Sequence, residues 1–203
     1  MHFHGKKTYL KVRIGWLTPQ TLTGLGRALV GAYLARPDNV VVAAVRDPAH
    51  HTARSLRELP KAESSSLIIV KIDSTSGVDA AEAVTELSSA HDITDLDVVI
   101  DNAGVARIFP KVQDARTSDF LDHYRVNAIG VVILFQAVLP FLKRSQMTAK
   151  FIAIGSAAGT IADMEKANIP NAVYGTSKAA LNYLVKKIHL ENEDIVAFPV
   201  HPG

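Results

Sequence analysis

The 203-residue chain has no cysteine. That excludes disulfides, thiolate metal sites and a cysteine nucleophile, and it fits a reducing compartment. An excess of one charge is also missing. Twenty-two basic residues stand against 20 acidic ones, a formal net charge of +2, and the basic residues form no block. So small a balance points to no nucleic-acid partner and no membrane surface, and a sequence pI near 8.8 says little more. No apolar run reaches the roughly 20 residues that a bilayer span needs. The first residues, MHFHGKKTYLKVRIGW, lack the continuous apolar stretch of a signal peptide. The default expectation is a cytoplasmic protein.

What is present suits a folded domain. Hydrophobic residues make up 48% and charged ones 21%, and a chain of this length can bury a sizeable core. No composition shift, repeat or low-complexity stretch divides it, so one domain over residues 1–203 is expected. Short apolar runs at 40–45 (VVVAAV), 67–72 (LIIVKI), 97–100 (DVVI), 151–156 (FIAIGS) and 195–200 (IVAFPV) read as strands. They are apolar on both faces, the pattern of parallel strands covered by helices on each side. Helical patterns lie between them at 25–36, stopped with the help of Pro37, and at 48–59 and 77–90. Two more fall at 117–143, with a break expected near Pro140, and at 172–192. The alternation predicts an α/β fold, a Rossmann-type doubly wound parallel sheet in three α/β/α layers.

The start of the chain fits this less well. The first strand of such a sheet is central and should be apolar on both faces. TYLKVRIGW instead alternates, with Leu10, Val12 and Ile14 on one side and Tyr9, Lys11 and Arg13 on the other. That suits a half-exposed strand, since burying Lys11 and Arg13 unpartnered would cost several kcal/mol each.

Four stretches carry chemistry. In YGTSK, Tyr174 and Lys178 stand one helical turn apart and share a face. A lysine cation beside a phenol favours the phenolate; a chance pair on an amphipathic surface helix has the same spacing. Ser156, in IGSAAG, lies eighteen residues earlier, at the end of a strand. Open α/β sheets bind ligands there, so its hydroxyl suits a carbonyl oxygen, or else a turn's own backbone groups. DNAG (101–104) follows another strand, and its small residues allow either the close approach of a flat ligand or a tight turn. Asn127, in HYRVNAIG, is an amide inside a helical pattern it does little to favour. It can bond the backbone, break the helix slightly or hold a water.

Taken in order, GLG (24–26), DNAG, the helical Asn127, GSAAG (155–159), YGTSK and the closing PG resemble the short-chain dehydrogenase/reductase family over residues 24–203. Asp101 stands where that family usually has Asn. The stretches YLARPDNVVVAAVRDP and KKIHLENEDIVAFPVHPG look like its fungal norsolorinic acid ketoreductase-like members and small carbonyl reductases.

The resemblance implies an NAD(P)-dependent ketoreductase, with a role for each matching residue. Tyr174 would be the general acid, Lys178 would favour its phenolate and bind the nicotinamide ribose, Ser156 would hold and polarise the carbonyl, and Asn127 would position a relay water. Gly24, Leu25 and Gly26 would open the first helix towards the pyrophosphate. Asp73 would lie near the adenine, with Asn102, Ala103, Gly104, Pro202 and Gly203 around the cofactor; Asp73 also reads as a cap or turn. Arg46 closes the second strand, where a guanidinium favours the 2′-phosphate of NADP over NAD. The adjacent Asp47 reads as a helix N-cap before Pro48. No metal is expected. The partner is a small-molecule carbonyl compound, a bulky aromatic ketone by analogy, and a homo-oligomer is left open.

Two departures accompany the match. The family's phosphate loop begins Thr-Gly, where this chain has Pro19 and Gln20. Gln20 replaces a residue free to take positive φ, and Pro19 removes an N–H from an anion site. The chain also ends at Gly203, where family members continue with a substrate loop, a helix and a last strand. The strand at 195–200 is therefore expected at an open sheet edge. The departures leave two alternatives to a working reductase: an impaired nucleotide-binding relative, or a fragment from a faulty gene model with residues 11–23 out of place.

Overall fold

A computed structural model of the chain describes residues 12–17, 24–167 and 169–203. Its centre is a six-stranded parallel sheet built from β1 (Val12–Leu17), β2 (Val40–Val45), β3 (Ser66–Lys71), β4 (Val98–Asp101), β5 (Ala149–Ile154) and β6 (Ile195–Val200). The order across the sheet is β3-β2-β1-β4-β5-β6. Chain order reverses between β1 and β4, the point at which such sheets bind ligands.

The strands show why their sequences are continuously apolar. Val41, Ala43 and Val45 of β2 point into one core, with Val98 and Ile100 of β4 and with Val30, Leu34 and Leu56. Val42 and Ala44 point into the other, with Val70, Val99, Phe151, Leu134, Val138, Leu181 and Val185. Both faces of β2 are therefore dry.

The early strand is an inner one. Val12–Gly15 pair with β4 and Arg13, Ile14 and Leu17 with β2, where the register shifts between Ile14 and Leu17. Its backbone thus sits where a doubly wound sheet needs a central strand, not at a half-exposed margin. Lys11, Pro19, Gln20 and the rest of residues 18–23 lie outside the described residues.

The helices follow the predicted order with adjusted ends. α1 spans Leu25–Leu34, and α2 is a single turn, His51–Arg54, continued by a 3-10 turn at Ser55–Glu58. Asp47 does not cap α2. Its carboxylate accepts from Ala49 N at 2.8 Å and closes a turn, while His50 occupies the cap. α3 is Asp79–His91, α4 Thr117–Tyr124, α5 Gly130–Leu142 and α6 Ala172–Glu191. Between α4 and α5 the chain winds one π turn, Arg125–Ile129. The irregularity expected near Pro140 lies there instead. Pro140 sits inside α5, two residues before its end, where little helix remains to be disturbed. Contrary to the sequence expectation, the whole run Thr117–Leu142 is by length and composition long and apolar enough to cross a membrane. Here Val131, Leu134, Val138, Phe141 and Leu142 spend that character on the core against the sheet.

β6 lies at one margin of the sheet and pairs with β5. Among the described residues β5 is its one neighbour in the sheet.

Candidate active site

The chemistry-bearing residues gather at the carboxyl ends of the strands. β5 ends at Ile154, so Ser156 stands two residues beyond it and opens a short 3-10 turn, Ala157–Gly159. Its Oγ accepts from Ala158 N at 3.2 Å, which leaves the hydroxyl proton to donate. This turn is pressed against α6. A Cβ on Gly159 would lie 2.7 Å from the Lys178 carbonyl carbon, and one on Gly175 2.9 Å from Ala158 O. The two glycines, one in GSAAG and one in YGTSK, let the motifs approach so closely.

α6 begins where the Asn171 side chain accepts from Gly175 N at 3.0 Å. Tyr174 and Lys178 follow on one face. The half-buried Tyr174 ring meets Phe109 edge to face, with centroids 5.9 Å apart. Lys178 is 3% exposed, and its Nζ donates to Ile154 O at 2.6 Å. Burial pushes the Lys178 ammonium down from its ordinary value, and the charge of Asp101 opposes that shift. In the same way burial pushes the Asp101 carboxyl up to about 7, against the pull of Ala103 N and of Lys178.

Asn127 lies in the π turn and is fully buried. Its Oδ1 accepts from Val105 N at 2.8 Å, and its Nδ2 donates to Val105 O and to Ser177 Oγ, both at 2.9 Å. Both amide protons are thus engaged, and one Oδ1 lone pair remains. Of the readings open for Asn127, its side chain takes the backbone bond, to a loop twenty-two residues away. Ser177 Oγ in turn donates to Tyr174 O at 2.7 Å. A chain of hydrogen bonds therefore runs from the loop after β4, through the π turn, to the backbone of Tyr174.

That loop is tied at further points. Arg107 N donates to His123 Nε2 at 3.2 Å, and the buried His123 places Nδ1 2.8 Å from Asp119 O. Ala172 N donates to Pro110 O at 3.2 Å. The loop so held forms one wall of a cavity of about 1460 Å³. Val112, Phe120, Ile161, Met164 and Ile169 line it, and Ser156 stands in its wall with Ala172, Gly175 and Thr176.

The residues implied for a nucleotide lie along the same sheet edge. Gly24 precedes α1, whose first turn has no side-chain cap and no acidic residue. Such an N-terminus favours an anion. Arg46 is exposed just past β2. Asn102 and Ala103 are buried past β4, and a Cβ on Gly104 would come within 3.4 Å of Lys178 Nζ. Asp73 uses Oδ1 to accept from Thr75 N at 2.8 Å and Thr75 Oγ1 at 2.7 Å, the turn-forming reading of that residue. Pro202 and Gly203 are exposed beyond β6.

The short chain dehydrogenase family model matches residues 21–203. The chain belongs to the short-chain dehydrogenase family. Norsolorinic acid ketoreductase nor1 of Dothistroma septosporum is 41% identical over 193 residues, covering 94% of this chain and 72% of that protein. The short chain dehydrogenase gsfK of Penicillium aethiopicum is 42% identical over 182 residues, covering 89% and 71%. Among solved structures, NADPH-bound carbonyl reductase from chicken fatty liver superimposes with a TM-score of 0.81 at 29% identity. That match covers 96% of this chain and 80% of the other.

Members of this family are NAD(P)-dependent oxidoreductases acting on small molecules. The described residues fit such a cofactor: an uncapped helix terminus for its phosphates, an exposed arginine past β2, and a buried ammonium beneath the Asn102–Gly104 turn. Sequence reasoning had Asp101 only as a departure within DNAG, and it missed Ser177, His123 and Phe109. Ser177 lies within YGTSK and on the Lys178 side of the helix, a signal that was there to be read.

Proposed function

We propose that this short-chain dehydrogenase uses NADPH to reduce a bulky, largely apolar ketone to an alcohol. The observation that carries the reading is Lys178, a buried cation hydrogen-bonded to Ile154 O and one helical turn from Tyr174. Burying a lysine is costly, and a structural helix gains nothing from it.

When bound, the nicotinamide supplies a hydride. Tyr174 gives its phenolic proton to the carbonyl oxygen, and Ser156 donates a hydrogen bond to that oxygen. Lys178 lies where its charge stabilises the phenolate left behind. Asn127 and Ser177 hold Tyr174 and the loop after β4 in register through the hydrogen bonds described. The cavity's apolar lining supports a substrate with a large ring system or chain, consistent with the named ketoreductase relative. Arg46, which forms no ion pair among the described residues, supports NADPH over NADH.

Tyr174→Phe tests the reading. NADPH binding, followed by its fluorescence on mixing with protein, should stay within about twofold. Carbonyl reduction should fall by at least 10²-fold, the low end for a lost general acid. Retained turnover would refute the role of Tyr174. Failure of the folded wild-type chain to bind NADPH would favour the nucleotide-binding-impaired alternative that Pro19 and Gln20 suggest.

A further inference from the structure

Asp101 is the last residue of β4 and is 1% exposed. Register places it between Gly15 of β1 and Ala153 of β5, directly before the Ile154 whose carbonyl holds Lys178. One carboxylate oxygen, Oδ1, accepts from Ala103 N at 3.0 Å. The other, Oδ2, is buried without a hydrogen-bond partner among the described residues. An unpartnered carboxylate oxygen in a dry sheet centre is strongly disfavoured unless a charge answers it.

Among the described residues the surrounding elements leave one charged group to do so. β1 and β5 bring Gly15 and Ala153, which carry no charge. The π turn brings Asn127, and the Asp101 loop itself Asn102, both neutral amides. α6 brings Lys178, with Tyr174 one turn earlier. Among the described residues, Lys178 is the charge that acts on Asp101, and Asp101 the charge that acts on Lys178.

We propose that Asp101 is a positioning residue for Lys178, the buried counter-charge that keeps its ammonium protonated on the Ile154 carbonyl. The consequence for catalysis rests on the reductase reading above; the electrostatic pairing itself does not. Asn at this position would have nearly the same size and could still accept from Ala103 N through its carbonyl oxygen. It would lack the charge, and its amide protons would face a cation. Since burial disfavours both charged forms, each group holds the other ionised, and their protons leave as a linked pair.

The test follows Lys178 in the cofactor-free chain by NMR of ¹³C,¹⁵N-labelled lysine side chains, with the signal assigned by its loss in Lys178→Met. In Asp101→Asn the Lys178 titration midpoint should fall by about one pH unit or more relative to the wild type, the low end for removal of a close opposite charge. An unchanged midpoint would overturn the proposal. If Asp101→Asn does not fold, the wild type still decides. The Lys178 signal should show a second, smaller step at the midpoint of the Asp101 ¹³Cγ titration, and a single-step curve would overturn the proposal. Neither readout needs turnover, so failure of the reductase reading would leave both results interpretable. If turnover is present, Asp101→Asn should also move the alkaline limb of kcat to lower pH while NADPH binding at pH 7 stays within a few-fold.

Discussion

Arg46 offers the sharpest single-residue discrimination outside the catalytic face. It is exposed at the carboxyl end of β2 and unpaired among the described residues. A guanidinium bonded to phosphate contributes about 1.5–3 kcal/mol. Arg46→Ala should therefore weaken NADPH binding by roughly tenfold to a hundredfold at low salt and leave NADH binding nearly unchanged, as fluorescence titration with the two nucleotides would show. Equal losses for both would remove Arg46 from the 2′-phosphate. Asn127 illustrates the limit of reading a residue alone. Its type and helical setting allowed a backbone bond, a local break or a water. Only the fold showed that its amide reaches Val105 and Ser177, both far from it in sequence.

At the scale of elements, the start of α3 carries its own pH dependence. Asp79 is buried; its carboxylate accepts from Ser76 Oγ, from Asp73 N at 3.0 Å and from Lys71 Nζ at 3.0 Å. Ser76, then Asp73 and Lys71, hold the Asp79 carboxyl below its ordinary value near 3.8, against the opposing effect of burial. A carboxyl lowered by folding stabilises the native state above its unfolded value and loses that contribution as pH falls through its folded one. Asp79→Asn should thus lower the denaturation midpoint at pH 7, and the gap from the wild type should narrow as pH drops below about 3.8. A pH-independent gap in urea melts would show that packing, not charge, is what the substitution removed. The position of each element was legible because apolar period is local. VVVAAV and IVAFPV have the observed strand limits, while the runs expected at 67–72, 97–100 and 151–156 are shifted by one or two residues. The break in Thr117–Leu142 was legible only as one of three readings of Asn127, and was expected instead near Pro140. Proline is the usual local signal for one, but the π turn at Arg125–Ile129 places Asn127 against groups on other elements.

Across the whole molecule, the sheet is stabilised from both faces, and Phe151 is the largest fully buried side chain among the described residues. It packs edge to face on Phe135, with centroids 5.2 Å apart, and so joins β5 to α5. Phe151→Ala should cost about 3–5 kcal/mol, read as a fall in the urea midpoint at unchanged slope. A loss under about 1 kcal/mol would mean that the core closes over the gap. β6 is the last strand in the described order, and Phe198 on it is exposed. The sequence alone determined the apolar strands after β1, the order of the helices, their α/β alternation and the one-turn spacing of Tyr174 and Lys178, because each depends on neighbours a few residues apart. The tertiary structure alone decided that Asp101 and Lys178 share a buried site, that Asn127 clamps the loop after β4, and that the Ser156 turn lies against α6. Those meetings depend on the order in which parallel strands lie side by side, and the periodicity of an individual strand carries no record of its neighbour.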